Sequence, residues 1–451
     1  MTERDEYRVA LVLPMTRQIL GVNDSGTFRL PRISIPKWTR PAEELTGAID
    51  EQWHIRSAVI DFLTDKSRQL TCAVVEARTK KWKRAEVDLI PVEAQVISGH
   101  DLSDCERAAL NGILTGDCGA RGPFSRLGWV DDAQEWIKSA VDHHDVDFTD
   151  HTRQLNACGT FALVRFGTKH GPAYWLKAVG EPNTHEFTVT TNLARNCPEY
   201  LATLVCARSD WNAWVMEEVG QSLRRPVPLS QAEQVVTKFA EMQTKLAGRA
   251  QDLLSFGCID HRIEVLRVHL HELIAYLEEA MERQVSTKVS PISKCRLREL
   301  EDILRDACAC MLELGIPDSL IHNDLNPGNI LFDGSRYVFA DWCEAYVGNP
   351  FLVFQQLCAL VSRDQDESLP WVRQLRVLYK HKWSALLAEP QMEQAFTLTP
   401  LLAVLSCLYG RGTWLTSSLR DDSELQGYKR SLARYMDRAA QNPRLIEALW
   451  H

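Results

Sequence analysis

The stretch Leu320-Ile321-His322-Asn323-Asp324-Leu325-Asn326-Pro327-Gly328-Asn329-Ile330-Leu331-Phe332, continued by Tyr337-Val338-Phe339-Ala340-Asp341-Trp342, decides how the rest of the chain is read. Two apolar, strand-like segments flank a polar loop in which Asp324 and Asn329 stand five positions apart, and Asp341 ends the next strand twelve residues after Asn329. Phosphoryl transfer needs such a set. One carboxylate holds the attacking hydroxyl, while an amide oxygen and a second carboxylate hold Mg²⁺. A hairpin turned by Asn-Pro-Gly-Asn would explain the shape of the loop. It would not explain a histidine, two aspartates at strand ends and an asparagine at this spacing together.

The remaining composition is that of a soluble globular protein. The chain has 451 residues, enough for two or three domains, with 45% apolar and 25% charged residues. No run of 18 apolar residues is present, so no membrane span is expected. The N-terminus reads Met-Thr-Glu-Arg-Asp-Glu before the short apolar run Val9 to Leu13, too acidic and too brief for a secretory signal. Thirteen cysteines are scattered with no Cys-x-x-Cys, which argues for reduced thiols and a cytoplasmic setting. A net charge of −9 argues against nucleic-acid binding.

Working outward from the loop, Leu297, Leu300, Ile303, Leu304, Ala307, Met311 and Leu314 form a helical stripe that delivers the chain into it. Two more stripes, Val235 to Leu246 and Ile263 to Leu277, precede it as core faces. Further upstream, Thr160 to Phe166 and Ala173 to Val179 read as strands of a hairpin. Lys177 sits inside the second, where a buried charge needs a partner such as nucleotide phosphates; an outward-facing edge position is the alternative. Asn156-Ala157-Cys158-Gly159-Thr160 precedes it with a single glycine. A helix is expected from Thr184, with Glu181 and Glu186 as its nearby carboxylates. Trp211 to Gly220, containing Met216 and Glu218, reads as a strand running into a connector. After Trp342, Gly348-Asn349-Pro350 breaks the chain before helices over about 351–361, 370–387, 392–410 and 423–440, with a group of acids at Asp364, Asp366 and Glu367.

Residues 1–140 read as a separate α+β domain, with strands at Tyr7 to Leu13, Leu70 to Glu76 and Ala85 to Val92 and helices at Pro41 to Trp53 and Asp101 to Leu114. The order of strand, Phe28-Arg29-Leu30-Pro31 and the helix from Pro41 resembles a Nudix hydrolase domain in layout. Only Glu51 stands where that family carries paired glutamates, so the resemblance implies a degenerate, non-catalytic module. Residues 141–154, with Asp142-His143-His144-Asp145 at their start, read as a solvated linker.

With His322-Asn323-Asp324, Asn329, Asp341 and Lys177 placed, the last 300 residues resemble the aminoglycoside phosphotransferase and choline kinase superfamily. Its loop reads His-Gly-Asp or His-Asn-Asp followed by Asn at the spacing seen here. The resemblance implies an α+β, bilobal protein-kinase-like fold: a small β-rich N-lobe over 155–220 and a helical C-lobe over 221–451, its catalytic loop at 320–342. It implies ATP-dependent phosphorylation of a small-molecule hydroxyl, the acceptor being an aminoglycoside, sugar or amino alcohol. Asp324 would be the base, Asn329 and Asp341 the Mg²⁺ ligands, and Lys177 the partner of the phosphates. Glu186 would position Lys177, with Glu181 as competitor, while Gly159, Met216 and Glu218 would lie along the nucleotide. His322 would brace the loop. Two alternatives stay open: a catalytically impaired, nucleotide-binding regulatory protein, and a kinase acting on a protein substrate.

Overall fold

A computed structural model describes residues 3–65, 70–79, 88–117, 119–141, 146–362, 369–412, 414 and 417–450. The chain divides into two compact units. The first comprises Met1–Phe187 and Ala202–Glu218, the second Thr188–Leu201 and Val219–His451.

The first unit contains two sheets. Strands β1 (Arg4–Val12), β2 (Ile19–Asp24), β3 (Thr27–Arg29), β4 (Arg32–Pro36), β5 (Ser57–Leu63), β6 (Cys72–Ala77) and β7 (Ile90–Val92) form a seven-stranded sheet. Its central order is β3-β2-β1-β6-β5, with β4 paired to β1 and β7 to β2. Among the described residues of this sheet, only the β1–β6 strand pairing is parallel. Residues Val9 to Val12 of β1 and Cys72 to Val75 of β6 are apolar on both sides because both faces are covered there. Val9, Leu11 and Val75 join a cluster with Leu45 and Ile49 of helix α1 (Pro41–Trp53). Ala10, Val12 and Val74, one position out of phase, face the other way and join a second cluster.

That second cluster continues through helices α2 (Asp104–Thr115) and α3 (Trp129–Ala140) into the second sheet. Strands β8 (Phe148–Ala157), β9 (Ala162–Thr168) and β10 (Tyr174–Ala178) precede helix α4 (His185–Asn196), and β11 (Leu204–Arg208) and β12 (Ala213–Glu217) follow it. The sheet order is β11-β12-β10-β9-β8, antiparallel throughout. Phe124, Trp129 and Ile137 share one core with Val164, Phe166, Leu176 and Val215. The residues expected to form a separate domain over 1–140 thus have one cluster whose buried members all lie within them, around Val9, Leu11, Leu45 and Val75, and share the other with the second sheet. The linker expected over 141–154 is strand from Phe148 onward, because Phe148 is buried against Phe166 at a ring separation of 5.8 Å. Residues 142–145, and residues 85–87 of the strand expected at Ala85 to Val92, lie outside the described residues. Along α1, Asp50 and Glu51 are exposed and Glu43 pairs with Arg153 at 2.6 Å. Among the described residues no metal-ligating cluster forms on that helix.

The second unit is helical around one large core. Helices α5 (Leu229–Leu246) and α6 (Ala250–Ser255) are followed by β14 (Ile259–Asp260), then α7 (Ile263–Val268), α8 (Leu270–Glu282) and α9 (Lys294–Glu313). Strands β15 (Ser319–Ile321), β16 (Ile330–Phe332), β17 (Tyr337–Phe339) and β18 (Tyr346–Gly348) come next. The unit ends in α10 (Phe354–Cys358), α11 (Pro370–Trp383), α12 (Glu389–Tyr409), α13 (Ser417–Arg420), α14 (Ser423–Ala440) and α15 (Pro443–Trp450). The helix expected over 351–361 is a single 3₁₀ turn at Pro350–Val353 leading into the short α10. Helix α12 has 21 residues and a mean hydropathy of 1.2 over an 18-residue window, which passes for a membrane span on length and composition alone. Packing accounts for that composition, since 67% of the window is buried inside the protein. The acids Asp364, Asp366 and Glu367 lie outside the described residues.

Candidate active site

The segment from β15 to β17 is not one hairpin. Strand β15 pairs with β18 in one three-stranded sheet, and β16 pairs with β17 and with β13 (Gln221–Ser222) in another. The polar loop therefore crosses from one small sheet to the other, anchored by apolar residues that are fully buried on both sides, Leu320, Ile321 and Ile330.

His322 is completely buried and ties the two ends of this segment together. Its Nε2 donates to the Ala340 carbonyl at 3.0 Å, and its ring lies 4.5 Å from that of Trp342. An acceptor at Nε2 places the proton there and leaves Nδ1 bare, which meets no hydrogen-bond partner among the described residues. Burial pushes the His322 pKa below the ordinary imidazole value, so the ring is a neutral brace. Asn323 follows with φ of 61°, in the left-handed region that only Gly, Asn and Asp enter readily. Asn adopts that backbone conformation at little cost, and a β-branched residue does not.

Asp324 is held by two amides. Asn326 Nδ2 donates to Oδ1 and Asn329 Nδ2 donates to Oδ2, each at 2.9 Å. Asn326 is itself fixed, its Oδ1 accepting from the Gly328 N–H at 2.8 Å in an Asx turn. Gln356 of α10 closes the other side, donating to Asn323 Oδ1 at 3.2 Å and accepting from the Leu325 N–H at 3.3 Å. The carboxylate is thus oriented before any ligand arrives. Because the Asn329 amide nitrogen faces Asp324, its carbonyl oxygen is turned away from that carboxylate.

Asn329 and Asp341 lie at the same end of the β16–β17 ladder. Ile330 stands opposite Phe339, and the Ala340 N–H donates to the Asn329 carbonyl at 2.9 Å. Asp341 has φ of 68°, a second left-handed non-glycine position. An amide oxygen and a carboxylate form a hard-oxygen donor pair, which suits Mg²⁺ better than a softer transition metal.

The other candidates lie in the first unit. In β10, Leu176 and Ala178 face the shared core, so alternation puts Lys177 on the opposite face of the sheet. Lys177 Nζ pairs with Glu186 Oε1 at 2.5 Å and sits over the Trp214 ring at 5.8 Å. Lys177 is 9% exposed and Glu186 1%. Glu181, the competing carboxylate, instead takes a hydrogen bond from the Thr184 hydroxyl at 3.4 Å.

Three residues expected along the nucleotide also make contacts within the protein. Gly159 is buried, and a Cβ on it would stand 1.9 Å from the Arg121 carbonyl, so its missing side chain answers to chain packing. Glu218 accepts from Arg165 Nε at 2.5 Å and Nη2 at 2.7 Å and from Trp175 Nε1 at 3.1 Å, while its own N–H donates to Ala173. Met216 is paired in the sheet with both Trp175 and Leu204. The hydrogen bonding of the sheet runs on to Glu218, one residue past the end of β12.

Sequence reading missed Asn326 and Gln356. Asn326 carried a signal, an Asx-turn residue two places after Asp324, whereas nothing in the sequence links Gln356 to a loop some thirty residues earlier.

The sequence pattern of the phosphotransferase enzyme family matches residues 168–376, just under half of the chain. No curated protein matches the chain in sequence. Among solved structures, the chain is similar to a Plasmodium vivax ethanolamine kinase at 13% identity and a TM-score of 0.47, over 77% of this chain and 97% of that one. It is also similar to the macrolide 2'-phosphotransferase of Brachybacterium faecium at 14% identity and 0.45, over 67% and 97%. A choline/ethanolamine kinase family protein from Mesorhizobium loti gives 17% identity and 0.42, over 71% and 98%. These are distant likenesses.

Proposed function

We propose that the protein transfers the γ-phosphoryl group of ATP to a hydroxyl of a small molecule such as an aminoglycoside, sugar or amino alcohol. The observation that carries the reading is the Asp324 carboxylate held by Asn326 and Asn329 in the loop, within the segment that matches a phosphotransferase family. Asp324 accepts the hydrogen bond of the acceptor hydroxyl and takes its proton as the new P–O bond forms. Lys177, kept in place by Glu186, neutralises phosphate charge. Asn329 and Asp341 are the residues that would hold Mg²⁺, which when bound offsets the charge of the phosphate oxygens.

A thermal-shift titration with ATP, with and without Mg²⁺, tests the nucleotide half of this reading. The natural chain is expected to be stabilised by Mg²⁺·ATP, and Asp341→Ala to lose the Mg²⁺-dependent part of the shift. No stabilisation of the natural chain would discard the proposal. The covered turn at Gly159 favours the second reading, a catalytically impaired nucleotide-binding regulator. Phosphate transfer to pooled alcohols, sugars and aminoglycosides separates the two, because a regulator binds ATP and transfers nothing.

A further inference from the structure

The turn between β8 and β9, residues 158–161, is locked to the N-terminal part of the first unit by three glycines. A Cβ on Gly122 would lie 2.3 Å from the Gly159 carbonyl, one on Gly159 would lie 2.2 Å from Ser125 Oγ, and one on Gly180 would lie 2.2 Å from Thr160 Oγ1. The Phe124 N–H donates to the Gly159 carbonyl at 3.0 Å. Segment 121–125 therefore covers one side of the turn, Gly180 closes on Thr160, and Thr160 itself remains exposed.

What holds segment 121–125 against the turn is a buried carboxylate on the other sheet. Asp61 of β5, 5% exposed, accepts from Arg121 Nε at 3.0 Å and Nη2 at 2.7 Å, and from the Ser125 hydroxyl at 2.7 Å. Its other oxygen accepts from the Phe62 N–H at 2.8 Å. Phe124 is wedged between Trp129 and Trp211, at ring separations of 5.1 and 5.6 Å. A satisfied buried network of this kind fixes one geometry, since any displacement strands a polar group.

We infer that Asp61, Arg121 and Ser125 are positioning residues that fix the β8–β9 turn for nucleotide phosphate, making the N-terminal sheet part of the nucleotide-binding apparatus. This rests on the proposed function, in which that turn meets the phosphates. An open glycine-rich loop buys its close approach to phosphate with mobility. Here the glycines serve contact between chain segments, and the turn presents Thr160 from a rigid mount.

The test uses the full chain and Mg²⁺·ATP as probe, with calorimetric binding well below the unfolding temperature. Arg121→Met, at a side chain that is 35% exposed, is expected to weaken binding about tenfold, and Arg121→Lys to restore most of it. Asp61→Asn is expected to act in the same direction. Amide exchange at residues 158–161 should speed up in Arg121→Met while β1 and β6 keep their protection. If the natural chain binds no Mg²⁺·ATP, the functional reading fails first. If it binds and Arg121→Met binds equally well with a faster-exchanging turn, the positioning role is overturned. Equal loss in Arg121→Met and Arg121→Lys would also overturn it.

Discussion

At the scale of single residues, the loop combines one chemical group with several that only orient it. Asp324→Ala removes the proton acceptor and leaves the apolar anchors of the loop in place. Phosphate transfer should fall by about 10³-fold with the melting temperature nearly unchanged, which a coupled transfer assay and a thermal melt would check together. Asn323 is a backbone requirement and not a chemical one. Asn323→Gly should be tolerated, whereas Asn323→Val, forced to φ of 61°, should cost about 1–2 kcal/mol in urea unfolding. Equal stability of the two variants would show that the left-handed turn relaxes without cost.

Among elements, the β13–β16 pairing shows how little room the segment has. Gly220 has φ of 29°, and a Cβ there would stand 1.9 Å from the Phe332 carbonyl, so the chain approaches the β16–β17 hairpin backbone to backbone. Gly220→Ala should separate β13 from β16 and destabilise the second unit by about 1–3 kcal/mol, read as an earlier unfolding midpoint. The opposite lesson comes from α12. Its apolar length follows from a helix surrounded by α9, α14 and the turn at Pro350–Val353.

For the whole molecule, stability should depend on pH through buried histidines. His261 has its pKa pushed down to about 4 by burial, with Nδ1 against the Ser406 hydroxyl and Nε2 against the Gly410 carbonyl. A histidine depressed on folding contributes stability that is complete above its unfolded value near 6.5. That contribution is lost as pH falls toward 4 and is worth about 3 kcal/mol at full loss. His322 is shifted in the same direction. Chemical denaturation between pH 7.5 and 4 should show this loss, and His261→Gln should flatten it. A chain beginning at residue 147 lacks Phe124, Trp129 and Ile137 and should expose the sheet face they cover. It is expected to be insoluble, which soluble expression and circular dichroism would measure.

Spacing alone singled out Asp324, Asn329 and Asp341 as candidates, because the residue types that suit a hydroxyl and a divalent cation are few. Helical periodicity placed most of the second unit for a similar reason: a stripe every three or four residues has to face a core. Strands β2 to β5 and β11, helix α3 and the start of β8 were missed, since most of these strands are short and are fixed by the neighbours they pair with. The extent of the N-terminal domain is set by no local pattern, because one of its two apolar clusters is shared with strands beyond residue 140. Whether Phe124 and Trp129 close a core of their own or join Val164 and Phe166 depends on which surfaces meet. Gly159 makes the same point: one glycine before a strand suits a phosphate or a neighbouring backbone equally well. Only the packing of Arg121 to Ser125 above it chooses between them.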